Sequence, residues 1–136
     1  MTQHKNLLLN NQLCFSLYAA TNSIIRYYRI YLNEIGITYT QYLVLLVLWE
    51  QQSCNIKKIA EILKLDSPTI TPIVQKLEKM NIVKRNRSNE DERMVLVSLT
   101  RAGIDLEGQV ADIQNKVACK TNLKTKDFNE LKITLN

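Results

Sequence analysis

The chain has 136 residues, of which 46% are hydrophobic, and only 3 Gly and 2 Pro. This length and composition are typical of one compact domain and exclude a disordered or collagen-like polymer. The 18 Lys and Arg outnumber the 13 Asp and Glu, and the net charge of +5 favours polyanionic partners.

The sequence contains no targeting or membrane-spanning pattern. Its longest apolar run, residues 42–49, is far shorter than the roughly 20 residues of a membrane helix, and the three leucines at 7–9 are too few for a secretory signal. Three cysteines, an odd number spaced far apart, do not form a secreted disulfide framework: Cys14, Cys54 and Cys119. We therefore expect a soluble, cytoplasmic protein whose cysteines begin as thiols.

Helices are predicted over the first third of the chain. Apolar residues recur three and four positions apart from about residue 9 to residue 32, which predicts a long amphipathic helix that ends by Gly36. Thr38 and Gln41 have the spacing of a capping box and precede the apolar run. A second helix is therefore expected over residues 38–51, buried at the centre of the domain.

Two short helices are expected next. The first covers residues 57–63 and should bury four apolar side chains: Ile59, Ala60, Ile62 and Leu63. The second follows a tight turn, is capped by Asp66 or Ser67 with Pro68 in its first turn, and ends near residue 81. Its inward face is Ile70, Val74 and Leu77. Two such helices joined by a short turn form a helix-turn-helix.

The apolar period then changes from that of a helix to that of strands. Residues 82–85 and 93–99, separated by a polar tip, predict a hairpin with Val95, Val97 and Leu99 on one face. Thr100 is expected to cap a further helix, on which four residues are spaced for packing: Ile104, Val110, Ile113 and Val117. Thr125 is expected to cap a last helix, which carries Phe128, Leu131 and Leu135. The predicted fold is one domain over residues 1–136, mainly α with a small β-hairpin wing, in which terminal helices at about 6–35 and 101–136 frame a winged helix-turn-helix at about 38–100.

Positive charge is concentrated on the winged part, since residues 57–93 hold nine Lys and Arg and six Asp and Glu. If the chain binds DNA, the second helix of the motif enters the major groove and presents six residues: Ser67, Thr69, Thr71, Pro72, Gln75 and Lys76. Phosphates would be met by Lys84, Arg85 and Arg87. Arg93 would reach a minor groove, with Asp91 holding its guanidinium.

A second interpretation is compatible with the same residues. The basic residues can equally be a solvated face on a helix pair that only packs. Pro72 is also unexpected inside a helix, where a proline costs about 3 kcal/mol. Either the helix begins later than predicted, so that Pro72 lies in its first turn, or the function requires a helix face that is free of hydrogen-bond donors.

The run from Lys58 to Glu78, the Asp91-Glu-Arg93 of the wing and the Val97-Ser-Leu-Thr100 that follows resemble the MarR family of dimeric winged-helix transcription regulators. The resemblance covers almost the whole chain. It implies that Arg93 enters the minor groove, that Asp91 orients it, and that the terminal helices build a homodimer on a palindromic operator. Glu92 departs from the second Arg of many members, which predicts weaker wing binding. The last helix is short for the family, so the sequence is either truncated or has a smaller dimer interface.

Cys14, with Tyr28 and Tyr39 at 14 and 25 residues downstream, resembles the thiol-switch branch of that family, the organic hydroperoxide regulators. There two tyrosines hold an N-terminal cysteine, and hydrogen-bond donors favour a thiolate that reacts with peroxide. Cys14 and Tyr28 share a helix face but lie about 21 Å apart along it, so they meet only across a symmetric dimer of antiparallel helices. Tyr18 is counted with this site, although it can equally be a packing residue, and Cys14 itself a small buried hydrophobe.

Two-cysteine members of the branch further imply that Cys119 resolves oxidised Cys14 in an intersubunit disulfide that rotates the winged units and releases DNA. Cys54, expected in a loop, is interpreted as a bystander. The predicted function is thus a DNA-binding repressor that senses organic hydroperoxide or hydrogen peroxide, without cofactor, metal or enzyme activity. The alternatives are a regulator controlled by a small phenolic ligand, a winged-helix protein-interaction module, and a thiol-dependent peroxidase, which His4, the single histidine, does not support.

Overall fold

The computed structural model describes residues 1–136. Two single turns of 3₁₀ helix, Lys5–Leu7 and Leu9–Asn11, precede α1 (Leu13–Glu34), so the first long helix begins a turn later than predicted. α2 spans Tyr39–Gln51 and carries the predicted capping box. In that box the Thr38 hydroxyl accepts from the Gln41 backbone N–H at 3.2 Å, and the Thr38 backbone N–H donates to the Gln41 side chain at 2.9 Å.

The helix-turn-helix consists of α3 (Ile56–Leu63) and α4 (Ser67–Lys79). The Asn55 side chain caps α3 through the Lys58 backbone N–H at 2.7 Å, and Asp66 caps α4 through that of Thr69 at 2.8 Å. Between the helices Lys64 adopts a left-handed conformation with φ 55°. The caps thus set where each helix begins and how tightly the chain turns.

The wing belongs to a three-stranded antiparallel sheet rather than to a hairpin alone. Its strands are β1 (Ser53–Asn55), β2 (Val83–Arg87) and β3 (Val95–Leu99), in the order β1-β3-β2. Cys54 lies opposite Val97 in the β1–β3 register, so its predicted place in a loop is wrong. The three-residue β1 ties the start of the helix-turn-helix to the base of the wing.

The C-terminal region has three helices: α5 (Arg101–Asp105), α6 (Glu107–Lys120) and α7 (Thr125–Leu135). Thr100 caps α5 as predicted, accepting from the Gly103 backbone N–H at 3.2 Å. Thr125 does not cap α7, because it is the first helical residue and the N-cap is Lys124 without a side-chain bond. Ile104 is 49% exposed, so its predicted packing role is also wrong.

The core forms around α2, whose Val44, Leu45 and Leu48 are fully buried. The inward face predicted for α4 is confirmed, since its three residues are also fully buried: Ile70, Val74 and Leu77. Ile62 is 39% exposed and is not part of the core, contrary to the prediction. The expected fold class, mainly α with a small winged sheet, is confirmed.

Large apolar side chains remain exposed at both ends of the chain. The N-terminal segment exposes Leu7, Leu9 and Leu13, and α7 buries none of its residues against the rest of the chain. The three apolar residues predicted on this helix, Phe128, Leu131 and Leu135, are each more than 40% exposed. None of the helices combines the length and apolar character needed to span a membrane.

Candidate nucleic-acid interface and thiol site

The outer face of α4 is open. Thr69, Pro72, Gln75 and Lys76 are all exposed and lie three or four residues apart, so they share one side of the helix. Ser67 and Thr71 are only half-exposed, and the Thr71 hydroxyl donates to the Ser67 carbonyl at 2.9 Å. Four of the six residues predicted to face a groove are therefore fully presented.

Pro72 lies inside α4, because the helix begins at Ser67 and not later. Its ring removes the N–H that would bond to the carbonyl of Pro68 four residues before. The side chain is exposed between Thr69 and the pair Gln75 and Lys76. The centre of the outer face is therefore apolar and without a donor, flanked by residues that can form hydrogen bonds.

Asp91 organises the tip of the wing through the backbone. Its carboxylate accepts from the Arg93 backbone N–H at 3.0 Å, and its carbonyl accepts from the Met94 N–H at 2.9 Å. Ser88, which is buried, donates its N–H to the Met94 carbonyl at 2.8 Å. Asp91 therefore shapes the turn that carries Arg93. The sequence predicted a different role for Asp91, that of holding the Arg93 guanidinium.

The basic side chains of this surface have different partners. Lys76, Lys84 and Arg93 form no ion pair, and Arg87 makes only a 3.5 Å bond to the carbonyl of Glu92. Arg85 differs, since its Nε donates to Glu78 Oε2 at 2.7 Å. Four of these five predicted DNA contacts are thus not neutralised by an acidic side chain.

Three tyrosines cluster where α1 meets α2. The ring centroid of Tyr28 lies 5.3 Å from that of Tyr39 and 5.0 Å from that of Tyr42. The phenol oxygens of Tyr28 and Tyr42 are 3.4 Å apart. Tyr28 is 8% and Tyr42 5% exposed. Burial raises the pKa of both Tyr39 and Tyr42, so these phenols are protonated donors at neutral pH.

Tyr42 was not among the predicted site residues. Tyr42 lies in the apolar run of α2, and that run predicts a buried core position but gives no sign of a role for the phenol hydroxyl. The signal was its spacing: Tyr39 and Tyr42 are three residues apart on one helix, so their rings share a face.

Cys14 lies in the first turn of α1 and is exposed, with Tyr18 beside it at 66% exposure. Tyr28 is on the same helix, about 21 Å further along at 1.5 Å per residue, so one chain does not bring the thiol to the tyrosine cluster. Cys119, near the end of α6, is exposed as well. Cys54 is buried, and burial raises the pKa of its thiol.

Residues 26–109 match the family model of the transcriptional regulator SarA/Rot. The organic hydroperoxide resistance transcriptional regulator of Bacillus subtilis is 41% identical over 130 residues, covering 96% of this chain and 88% of its own. The regulator SarZ of Staphylococcus epidermidis is 42% identical, covering 96% of this chain and 81% of its own.

Among solved structures, overoxidised AbfR bound to DNA matches with a TM-score of 0.76 and 36% identity over 97% of both chains. AbfR, a protein of Staphylococcus epidermidis, has also been solved reduced on DNA and with a disulfide formed. The family match covers more than half of the chain, and the sequence relatives span nearly all of it. The chain belongs to the SarA/Rot family of transcriptional regulators and is a winged-helix regulator of the thiol-switch MarR type.

Proposed function

We propose that the chain is a redox-responsive, DNA-binding transcriptional repressor that acts as a homodimer in the cytoplasm, where its DNA is. The observation that carries the proposal is the presence, in one fold, of an open basic surface on α4 and the wing and of an exposed Cys14 on the helix that also holds Tyr28. Relatives are named for organic hydroperoxide resistance, and AbfR has been solved on DNA.

In this proposal α4 reads bases in the major groove. Gln75 matches the donor and acceptor pattern of adenine, and the methyl group of Thr69 can contact that of thymine. Lys76, Lys84 and Arg87 contact phosphates, while Arg93, which has no acidic partner, enters a minor groove beside them. Because a dimer presents two such units, the preferred site is a palindrome.

The exposed apolar surfaces at the two ends of the chain support the dimer. Leu13 and Phe15 on α1 and Phe128 and Leu131 on α7 are each at least 40% exposed in one chain. A two-fold axis between antiparallel α1 helices would cover them and bring Cys14 of one subunit to Tyr28 and Tyr39 of the other. The two terminal regions are therefore the proposed dimerisation helices.

The proposed switch follows ordinary thiol chemistry. The Cys14 thiolate attacks the terminal oxygen of a hydroperoxide, an S–O bond forms as the O–O bond breaks, and the alkoxide or hydroxide that is released takes up a proton and leaves as an alcohol or as water. The cysteine is oxidised by two electrons to a sulfenic acid. The Cys119 thiol of the other subunit then attacks this sulfur, releases water and forms an intersubunit disulfide that pulls the winged units away from DNA.

A non-reducing gel tests the disulfide. Hydroperoxide-treated wild-type protein and the Cys54→Ser variant are expected to run as covalent dimers, because Cys54 is buried in β1. Cys14→Ser and Cys119→Ser are expected to run as monomers. A Cys119→Ser protein that still forms the covalent dimer would disprove the pairing, since another thiol would then resolve Cys14.

One feature favours a second candidate, a regulator controlled by a small ligand. A cleft of about 430 Å³ lies between α2 and α6 and is lined by Tyr42, Trp49, Glu50, Glu107 and others. Its two carboxylates repel an anionic phenolic acid but accept a neutral phenol. A neutral phenol that raises the melting temperature and weakens DNA binding of Cys14→Ser would support this candidate.

We propose no enzyme activity. An enzyme that uses Cys14 as its nucleophile would be expected to pair it with a general base, and His4, the single histidine, lies in the exposed segment before α1. Continuous consumption of hydroperoxide with a thiol reductant, in the absence of DNA affinity, would contradict the proposed function.

A further inference from the structure

Glu78 and Arg85 join the recognition helix to the wing. Glu78 lies in the last turn of α4, Arg85 lies in β2, and Arg85 Nε donates to Glu78 Oε2 at 2.7 Å. Both side chains are about one-third exposed, so the pair is partly shielded from solvent. It is the only ion pair that connects α4 with the sheet.

The position of Glu78 is unusual for a carboxylate. Negative charge is unfavourable at the C-terminal end of a helix, where carbonyl groups already point outward, and Lys76 and Lys79 are the types expected there. The guanidinium of Arg85 offsets that repulsion. Arg85 is thereby held against the helix, and its positive charge is neutralised by Glu78. The neighbouring Lys84 and Arg87 have no acidic partner and remain positively charged.

We propose that Glu78 is a specificity-determining residue for DNA recognition, and this inference rests on the proposed function. By pairing with Arg85, Glu78 keeps one positive charge away from the DNA phosphates. Contacts with phosphates form equally well on DNA of any sequence, so they add affinity without preference for a site. The same contact fixes the position of the wing relative to α4. Arg93 therefore enters the minor groove at a fixed distance along the DNA from the bases that Gln75 contacts. Loss of Glu78 therefore strengthens binding to any DNA while weakening the preference for the correct site.

The first measurement is the affinity for a random-sequence duplex over a series of salt concentrations. Glu78→Gln is expected to steepen the plot of log affinity against log salt by about 0.9, since one guanidinium becomes free to contact a phosphate, and to raise affinity about fivefold near 0.15 M salt. Asp105→Asn is the matched control. It removes the same charge from an exposed ion pair with Arg101 on α5 and is expected to leave the slope unchanged.

The double variant Glu78→Gln/Arg85→Gln decides the role of Arg85. If the pair is neutral towards DNA, as inferred, the double variant has the wild-type slope. If Arg85 instead contacts a phosphate in the wild type, the slope becomes shallower by about 0.9. A shallower slope, or an unchanged slope in Glu78→Gln, would overturn the inference.

The second measurement is the ratio of affinities for a duplex selected by the wild-type protein from a random library and for the random duplex itself. The ratio is expected to fall several-fold in Glu78→Gln and to stay constant in Asp105→Asn. An unchanged ratio in Glu78→Gln would also overturn the inference. A wild-type protein that binds no duplex at any salt concentration would refute the proposed function first, and the inference with it.

Discussion

The phenol oxygens of Tyr28 and Tyr42 lie 3.4 Å apart in the buried junction of α1 and α2. Burial is the largest cause that raises the pKa of Tyr42, followed by its hydrogen bond with Tyr28, so Tyr42 keeps its proton at neutral pH. When Tyr42 donates to Tyr28, the proton of Tyr28 is left for another acceptor. In the proposed dimer that acceptor is the Cys14 thiolate of the other subunit.

The first prediction concerns this hydrogen bond. Tyr42→Phe keeps the ring stacked on Tyr28 but removes the phenol, which should lower the free energy of unfolding by about 1 kcal/mol. It should also slow the reaction of Cys14 with hydroperoxide, because Tyr28 loses the donor that polarises it. Stopped-flow oxidation and urea unfolding measure both effects. Tyr27→Phe, at an exposed position outside the predicted thiol site, serves as the control, and equal oxidation rates for all three proteins would contradict the role of Tyr42.

The second prediction concerns two glycines with different surroundings. A Cβ at Gly103 would overlap the backbone carbonyl of Ile82 and approach Leu99 Cδ2 at 3.0 Å, whereas a Cβ at Gly108 in α6 meets nothing within 4 Å. Gly103→Ala should therefore lower the free energy of unfolding by about 1–3 kcal/mol. Gly108→Ala should raise it by about 0.5–1 kcal/mol. Denaturant unfolding of both variants provides the measurement, and shifts of the same sign would contradict the packing of α5 on the sheet.

The third prediction concerns the pH dependence of the α4 cap. Hydrogen bonding from Thr69 holds the pKa of the Asp66 carboxyl below its ordinary value. The cap therefore adds stability above the unfolded-state pKa of about 3.9, and this contribution is lost as the pH falls through the lower, folded-state pKa. Asp66→Asn, which still caps but does not titrate, should lose less stability on acidification. Identical pH profiles for the two proteins would show that the carboxylate does not contribute.

The fourth prediction concerns the buried cysteine. Because burial raises the pKa of the Cys54 thiol and β1 packs it against β3, Cys54 should react with iodoacetamide last of the three cysteines at neutral pH. In denaturant all three should react alike. Mass spectrometry of partly alkylated protein gives the order, and labelling of native Cys54 as fast as Cys119 would contradict its assignment as a bystander.

Local signals predicted most of the fold. The caps at Thr38, Asp66 and Thr100 and the spacing of apolar residues on α4 identify the helices because those interactions connect residues close in sequence. β1 has three residues, too few to show a period, and its partner strand lies far along the chain. The site was predicted less completely for the same reason. The Glu78–Arg85 pair crosses from a helix to a strand, and the direction of neither side chain is encoded locally.

The sequence also suggested the wrong target for Asp91. Its spacing from Arg93 is compatible with either the guanidinium or the backbone N–H, and the structure selects the backbone because the tip turns tightly between Ser88 and Met94. For Tyr42 the sequence predicted the position correctly but not the role. Its place in an apolar run indicates burial, as observed, but gives no indication that its hydroxyl contacts another tyrosine.

The most direct test of the whole account is a gel shift with the DNA upstream of the chain's own gene, using reduced and hydroperoxide-treated protein. Reduced wild-type protein and Cys14→Ser should both bind. After treatment the wild type should release the DNA, whereas Cys14→Ser should retain it, because it lacks the thiol that starts the switch. If treated Cys14→Ser releases DNA as the wild type does, Cys14 is not the sensor.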